Sequence, residues 1–201
     1  MAHKSNIFWC TGMSGVGKST LVEYTKNKLL EQGYTVMILD GDAVREKYKV
    51  KLGFGREDVK KNNYYVAKLW EEYRDNYDVI MVPIISPIDN VRRKVKRILS
   101  PNYNLVYIYA DIESLKKRDK KGLYKKSDNG EINDLIGYSY TNPYDIPEDY
   151  DLIIDTSKES DLEKSKQLFE RFVMSKAVKS TVLLKKWVIT SLVKMLWILM
   201  I

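Results

Sequence analysis

Apolar residues in this chain fall into short continuous runs, separated by longer stretches in which they recur every three or four positions. The runs Asn6–Thr11, Tyr34–Leu39, Asp78–Ile85, Leu105–Ala110 and Leu152–Ile154 are apolar almost throughout, as strands covered on both faces should be. Between them, Ser19–Gln32 carries Leu21, Val22, Leu29 and Leu30 near helical spacing and stops at Gly33. Arg56–Asn76 repeats the pattern through Val59, Tyr65, Val66, Leu69 and Trp70, and Val91–Leu99, Ile112–Arg118 and Asp161–Ser175 also read as helices. Strands alternating with helices predict an α/β fold in three layers: a central parallel five-stranded sheet with helices on both faces. Residues 119–150 are polar, hold Gly122, Gly130, Gly137, Pro143 and Pro147, and predict a loop-rich lid. The organisation expected is one domain over residues 1–175, followed by a basic and apolar tail over 176–201.

In such sheets ligands bind beyond the carboxyl ends of the strands, and the informative residues cluster there. After the first strand comes Gly12-Met13-Ser14-Gly15-Val16-Gly17-Lys18-Ser19, which fits the phosphate-binding P-loop pattern. Gly12, Gly15 and Gly17 let the backbone turn so that its amide hydrogens face phosphate oxygens. Lys18 brings a cation to the β- and γ-phosphates, and the Ser19 hydroxyl can ligate Mg²⁺. Thr20, next in the helix, completes the stretch expected to hold ATP. With a strand before it and a helix after it, the loop has the context that this pattern requires.

A phosphoryl-transfer site also needs an acidic group near the metal. The third strand ends in Pro83-Ile84-Ile85-Ser86 without an acid, so Asp40 and Asp42, at the end of the second strand, are the candidate carboxylates. One can hold Mg²⁺ or its water and the other can take a proton from an attacking hydroxyl; the residues leave open which does which, with Asp42 favoured as the base and Asp40 then left for the metal. A turn with a helix N-cap is the bland alternative for this pair, and capping is a sufficient account of Asp111. Arg45, one helical turn beyond Asp42, can grip an anionic acceptor or form a surface ion pair. Between Lys116 and Lys126 seven of eleven residues are basic, Arg118 and Lys121 among them, which suits a lid closing over a triphosphate.

Charge and composition narrow the classes. The net charge is +7, but Lys176, Lys179, Lys185, Lys186 and Lys194 supply five of those charges from a tail without acids. The body is therefore nearly neutral, which argues against a nucleic-acid partner. His3 is the only histidine and Cys10 the only cysteine, so neither histidine acid–base chemistry nor a zinc site is expected. A lone strand cysteine and a start without an apolar signal region make a cytoplasmic location the expectation. Trp187–Ile201 is apolar apart from Thr190, Ser191 and Lys194 and shorter than the roughly 20 residues that span a bilayer, so membrane contact by the tail is not expected.

Taken together these residues resemble the adenylylsulfate (APS) kinase family. The resemblance runs from the P-loop through Leu39-Asp40-Gly41-Asp42 with Val44-Arg45, Leu52-Gly53-Phe54 with Asp58 and Asn62, and Ile85-Ser86-Pro87. It continues through Arg118-Asp119, Lys121–Lys126, Gly130-Glu131-Ile132, Asn142-Pro143-Tyr144 and Asp155-Thr156, in family order over roughly residues 5–175. It implies transfer of the ATP γ-phosphate to the ribose 3′-hydroxyl of adenosine 5′-phosphosulfate. By the same resemblance Asp42, Arg45, Phe54, Asn62, Ile85, Ser86 and Lys121 contact the acceptor, and Lys18, Asp42 and Ser86 act in catalysis. The family's serine at the position of Ser86 is assigned as a phosphorylated intermediate; in-line transfer needs no such step, and Ser86 is read as a substrate-facing hydroxyl.

Two departures bear on the acceptor. Val59 stands where the family usually has an arginine, and Leu135 where a phenylalanine helps sandwich the adenine. Loss of the arginine removes about 1.5–3 kcal/mol of charge-assisted binding. APS is the default acceptor, with cytidine diphosphoramidate, the substrate of a family relative in capsule modification, as the alternative. An inactive nucleotide-binding regulatory module is the reading from outside the enzymes. The expected partners are small-molecule nucleotides, with a homodimer left open.

Overall fold

The computed structural model describes residues 5–39, 52–158 and 161–178. Five strands, β1 (Asn6–Thr11), β2 (Val36–Ile38), β3 (Val79–Pro83), β4 (Tyr103–Tyr109) and β5 (Leu152–Asp155), form one sheet in the order β2-β3-β1-β4-β5. All four pairings are parallel, with Phe8 opposite Met81 on one side of β1 and opposite Asn104 on the other. The helices are α1 (Lys18–Glu31), α2 (Arg56–Tyr73), α3 (Asp89–Leu99), α4 (Ile112–Lys117), α5 (Leu123–Asp128) and α6 (Leu162–Lys176), with a 3₁₀ turn at Arg74–Asn76.

The central position of β1 follows from its composition: all six residues are buried, so both of its faces must be covered. Alternate side chains then feed two cores. Phe8 and Cys10 join Val79, Met81, Val106 and Ile108 beneath α1 and α6. Ile7 and Trp9 join Ile80, Val82 and Leu105 beneath α2 and α3. These are the three layers that the apolar runs predict.

Three boundaries move for identifiable reasons. β2 is shorter than Tyr34–Leu39 because its entry is held otherwise: Tyr34 N donates to Leu29 O, and Asp78 accepts from both Thr35 N (2.7 Å) and Thr35 Oγ1 (2.9 Å). β3 ends at Pro83, which has no amide hydrogen to donate, although Ile84 N still donates to Cys10 O (3.0 Å). The 119–150 stretch, expected to be loop throughout, contains α5. Asp119 builds its first turn by accepting from Leu123 N, Tyr124 N and Lys125 N, and Gly122 adopts φ 65° at the N-cap. Among the described residues no helix is long and apolar enough to cross a membrane. The expected tail lies outside the described residues beyond Val178.

Candidate active site

The loop after β1 is bent by glycine where other residues do not fit. Gly17 is the N-cap of α1 with φ 91°, and no acidic residue stands in the first turn of that helix. Its leading amides and its positive dipole end are therefore turned to the strand ends without a competing carboxylate. Gly12 N donates to Ile85 O (3.3 Å), which couples the loop to the end of β3. Lys18 Nζ donates to the carbonyl oxygens of Gly12 (2.7 Å) and Met13 (2.8 Å), so the ammonium is held over the loop it belongs to. Tyr124 OH donates to Ser14 O (2.6 Å), and Thr156 Oγ1 donates to Val16 O (2.9 Å). Burial pushes the Tyr124 phenol well above its usual value, so it stays a hydrogen donor.

Beside this loop opens a cavity of about 400 Å³. Ser14, Gly15, Gly17, Lys18, Ser19 and Thr20 form one wall. Asn62 from α2, with Ile85 and Ser86 after β3, forms another, and Arg118 and Lys121 face them from the stretch after α4. Lys18, Arg118, Lys120, Lys121 and Lys158 bring five cations to this lining. Among the described residues its one acid is Asp119, which is occupied in capping α5. The field inside accordingly favours a polyanion. Two residues of this lining carry buried polar atoms without a partner among the described residues. Arg118 donates Nη1 to Thr156 O (2.6 Å), while its buried Nε and Nη2 have no hydrogen-bond partner among the described residues. Ser86 is 1 % exposed with φ 44°, and its Oγ is equally without a partner. Buried polar groups left unpaired are costly, so each calls for a partner such as water or a ligand.

Not every expected residue meets the cavity. Gly12, Met13 and Val16 lie behind the wall; Met13 and Val16 border a separate hollow against Tyr107, Tyr109 and Tyr144. Phe54 is 53 % exposed and outside the lining, and its carbonyl accepts from Asn142 Nδ2 (2.8 Å). Leu135 requires a correction: it is buried in the core cluster that also contains Val16, Leu115 and Tyr124, and its neighbour Ile136 lines the cavity instead. Asp40, Asp42 and Arg45 lie outside the described residues. Sequence reasoning overlooked Asn63 and Lys158. Lys158 carries a usable signal, three residues beyond the end of β5, where ligands of parallel sheets gather. Val59 is 2 % exposed and lines the cavity beside Asn62. Among the described residues no group of three histidine, cysteine, aspartate or glutamate side chains could hold a metal.

Known proteins are similar to this chain over most of its length. A family model described as adenylylsulphate kinase matches residues 4–155. A probable adenylyl-sulfate kinase of Bacillus subtilis is 38% identical over 175 residues, covering 87% of each chain. An adenylyl-sulfate kinase of Bacillus pumilus is 38% identical over 176 residues, covering 87% of this chain and 88% of its own. Among solved structures, the APS kinase of Mycobacterium tuberculosis in complex with AMPPNP and APS superposes with a TM-score of 0.72 at 29% identity. The match covers 84% of this chain and 98% of that one. A shikimate kinase from Bacteroides thetaiotaomicron, 17% identical with a TM-score of 0.54 over 84% of this chain and 98% of its own, shares the fold.

Proposed function

This chain belongs to the adenylylsulfate kinase family, and from that premise we propose how its cavity divides between two nucleotides. The enzyme is a phosphotransferase with an alcohol acceptor: it moves the γ-phosphoryl group of ATP onto APS and yields 3′-phosphoadenosine 5′-phosphosulfate. ATP takes the side of the Gly12–Ser19 loop, and APS takes the side of Asn62, Ile85 and Ser86. The observation that carries this division is that one continuous cavity is lined both by the phosphate loop and by Ser86, whose buried hydroxyl has no partner among the described residues.

In-line transfer needs the acceptor oxygen, the phosphorus and the leaving oxygen nearly collinear, and it needs charge on the migrating group neutralised. The loop amides and the N-terminus of α1 hold the β- and γ-phosphates, and Lys18 turns from the Gly12 and Met13 carbonyls to the phosphate oxygens. Arg118 and Lys121 bring positive charge from the opposite wall. The 3′-hydroxyl of APS attacks the γ-phosphorus as the bond to the β-phosphate oxygen breaks. The hydroxyl proton passes to a carboxylate, for which Asp42 is the proposed base, and ADP leaves. Ser86 donates or accepts a hydrogen bond to the acceptor without a covalent step. Magnesium suits the same wall. A cation that keeps its waters and takes phosphate oxygens requires few protein ligands, and the Ser19 hydroxyl is set in the first turn of α1, with Asp40 proposed beside it. Bound there, it would neutralise charge on the triphosphate.

Transfer to cytidine diphosphoramidate finds no favour among relatives named as adenylyl-sulfate kinases. Cys10 is free and fully buried, which suits a reducing compartment, and the cytoplasm is the proposed location. The test is the purified full chain with Mg-ATP and APS, following the phosphorylated product. Turnover is expected, falling by roughly 10³-fold in Lys18→Ala, the scale of a lost electrostatic stabiliser. No product from the wild type, or comparable product from Lys18→Ala, would overturn the reading.

A further inference from the structure

Ser86 holds a backbone conformation that side chains rarely adopt, and the groups that hold it there lie outside the cavity. Its φ of 44° is left-handed, which a serine sustains only when its surroundings fix it. Its carbonyl oxygen accepts from Arg92 Nη1 (2.9 Å) and from Thr11 Oγ1 (3.2 Å). Thr11 Oγ1 also meets Ile85 O (2.5 Å) and Tyr144 OH (2.7 Å).

Arg92 is the common member of this assembly. It belongs to α3, is 2 % exposed and does not line the cavity. Its Nη2 donates to Asp145 O (2.6 Å) and to Asp89 Oδ1 (3.1 Å), and its guanidinium lies 5.6 Å from the centroid of the Tyr144 ring. Asp145 is fastened further: its Oδ2 accepts from Asp89 N (3.0 Å) and Arg56 Nη2 (3.3 Å), and its amide donates to Pro87 O (2.8 Å). One buried planar cation thus joins the turn that bears Ser86, the start of α3 and the 144–145 stretch. No other side-chain type offers such a fork: a lysine ammonium has no second nitrogen with which to span Ser86 O and Asp145 O.

We propose that Arg92 is a positioning residue for the acceptor. It fixes the Ser86 turn, and with it the hydroxyl in the cavity, against the 144–145 stretch, and it touches neither nucleotide itself. The inference rests on the reading of Ser86 as facing the acceptor.

The experiment compares wild type, Ser86→Ala, Arg92→Lys and the double variant, all as full chains, with rates measured at varied APS and at varied ATP. Arg92→Lys keeps the charge, and Arg92→Ala is assayed with and without added guanidinium ion. Misplacing a substrate-facing group costs up to about 100-fold in rate. Arg92→Lys is therefore expected to lower kcat by roughly 10- to 100-fold, while KM for ATP stays within about twofold. Guanidinium should restore part of the activity of Arg92→Ala, and the double variant should be little slower than Ser86→Ala alone. A wild-type kcat in Arg92→Lys overturns the proposal. So does a KM for ATP that rises in step with the loss of kcat, or an effect that multiplies fully with that of Ser86→Ala. Wild-type kinetics for Ser86→Ala would instead remove the acceptor reading beneath it.

Discussion

Gly12 and Ile108 touch backbone to backbone: a Cβ built on Gly12 would overlap the carbonyl oxygen of Ile108 in the neighbouring strand. The start of the phosphate loop is thus pressed onto β4, and its φ of 152° adds a second reason for glycine. The neighbouring Val16 Cγ2 would lie at 3.0 Å, so a side chain there has no direction in which to yield.

Gly12→Ala should therefore displace the loop rather than be absorbed. A loss of about 1–3 kcal/mol, the usual cost of overpacking, is expected in thermal unfolding. ATP affinity should fall by at least about tenfold, because the amides that receive phosphate shift together. Isothermal titration with a non-hydrolysable ATP analogue measures this, and unchanged affinity would contradict the geometry.

Leu135 leads to a different expectation from the one its position in the family suggests. Restoring the family's phenylalanine there would enlarge a side chain that is only 8 % exposed and belongs to the buried core. Leu135→Phe should lower the melting temperature, by an amount equivalent to about 1–3 kcal/mol, without tightening APS. Val59 does line the cavity, so any gain for an anionic acceptor should come from Val59→Arg alone. Calorimetric melting and the KM for APS of the two single variants separate these outcomes.

Cys10 should be inert in the native protein. It is fully buried in β1, and desolvation pushes its thiol far above the ordinary value of 9.0, against a smaller opposing pull from Lys18. The thiolate is the reactive form, so a disulfide reagent at pH 8 should label the folded chain only as fast as the sheet opens. The sign of the linkage follows: the unfolded thiol ionises near 9.0 while the folded one does not, so this group's contribution to stability is complete below that pH and declines above it. Spectrophotometric thiol titration with and without denaturant checks both statements; rapid labelling without denaturant would refute them.

The parts of the molecule legible from sequence were those dictated by local patterning. β1 could be read to the residue because every position in it is buried, and the P-loop glycines because backbone geometry excludes other residues. What escaped depends on tertiary partners. The helix α5 has little apolar periodicity and is organised by Asp119, whose carboxylate gathers three amides. Leu135 was read toward the acceptor because a position within a family does not say which way a side chain faces once its segment packs against the core. Arg92 was invisible because a charged residue on a helix ordinarily reads as solvated, and only the fold brings Ser86 and Asp145 to its two nitrogens.

The two carbonyl oxygens that grasp Lys18 also set the terms on which this enzyme meets its donor. Phosphate oxygens must outcompete ligands that the chain itself provides, so the measured affinity for ATP is a difference between two coordination shells of one ammonium. A triphosphate that reaches far enough along the loop can take over that cation. Binding and release of the nucleotide are thereby tied to a single side-chain rotation.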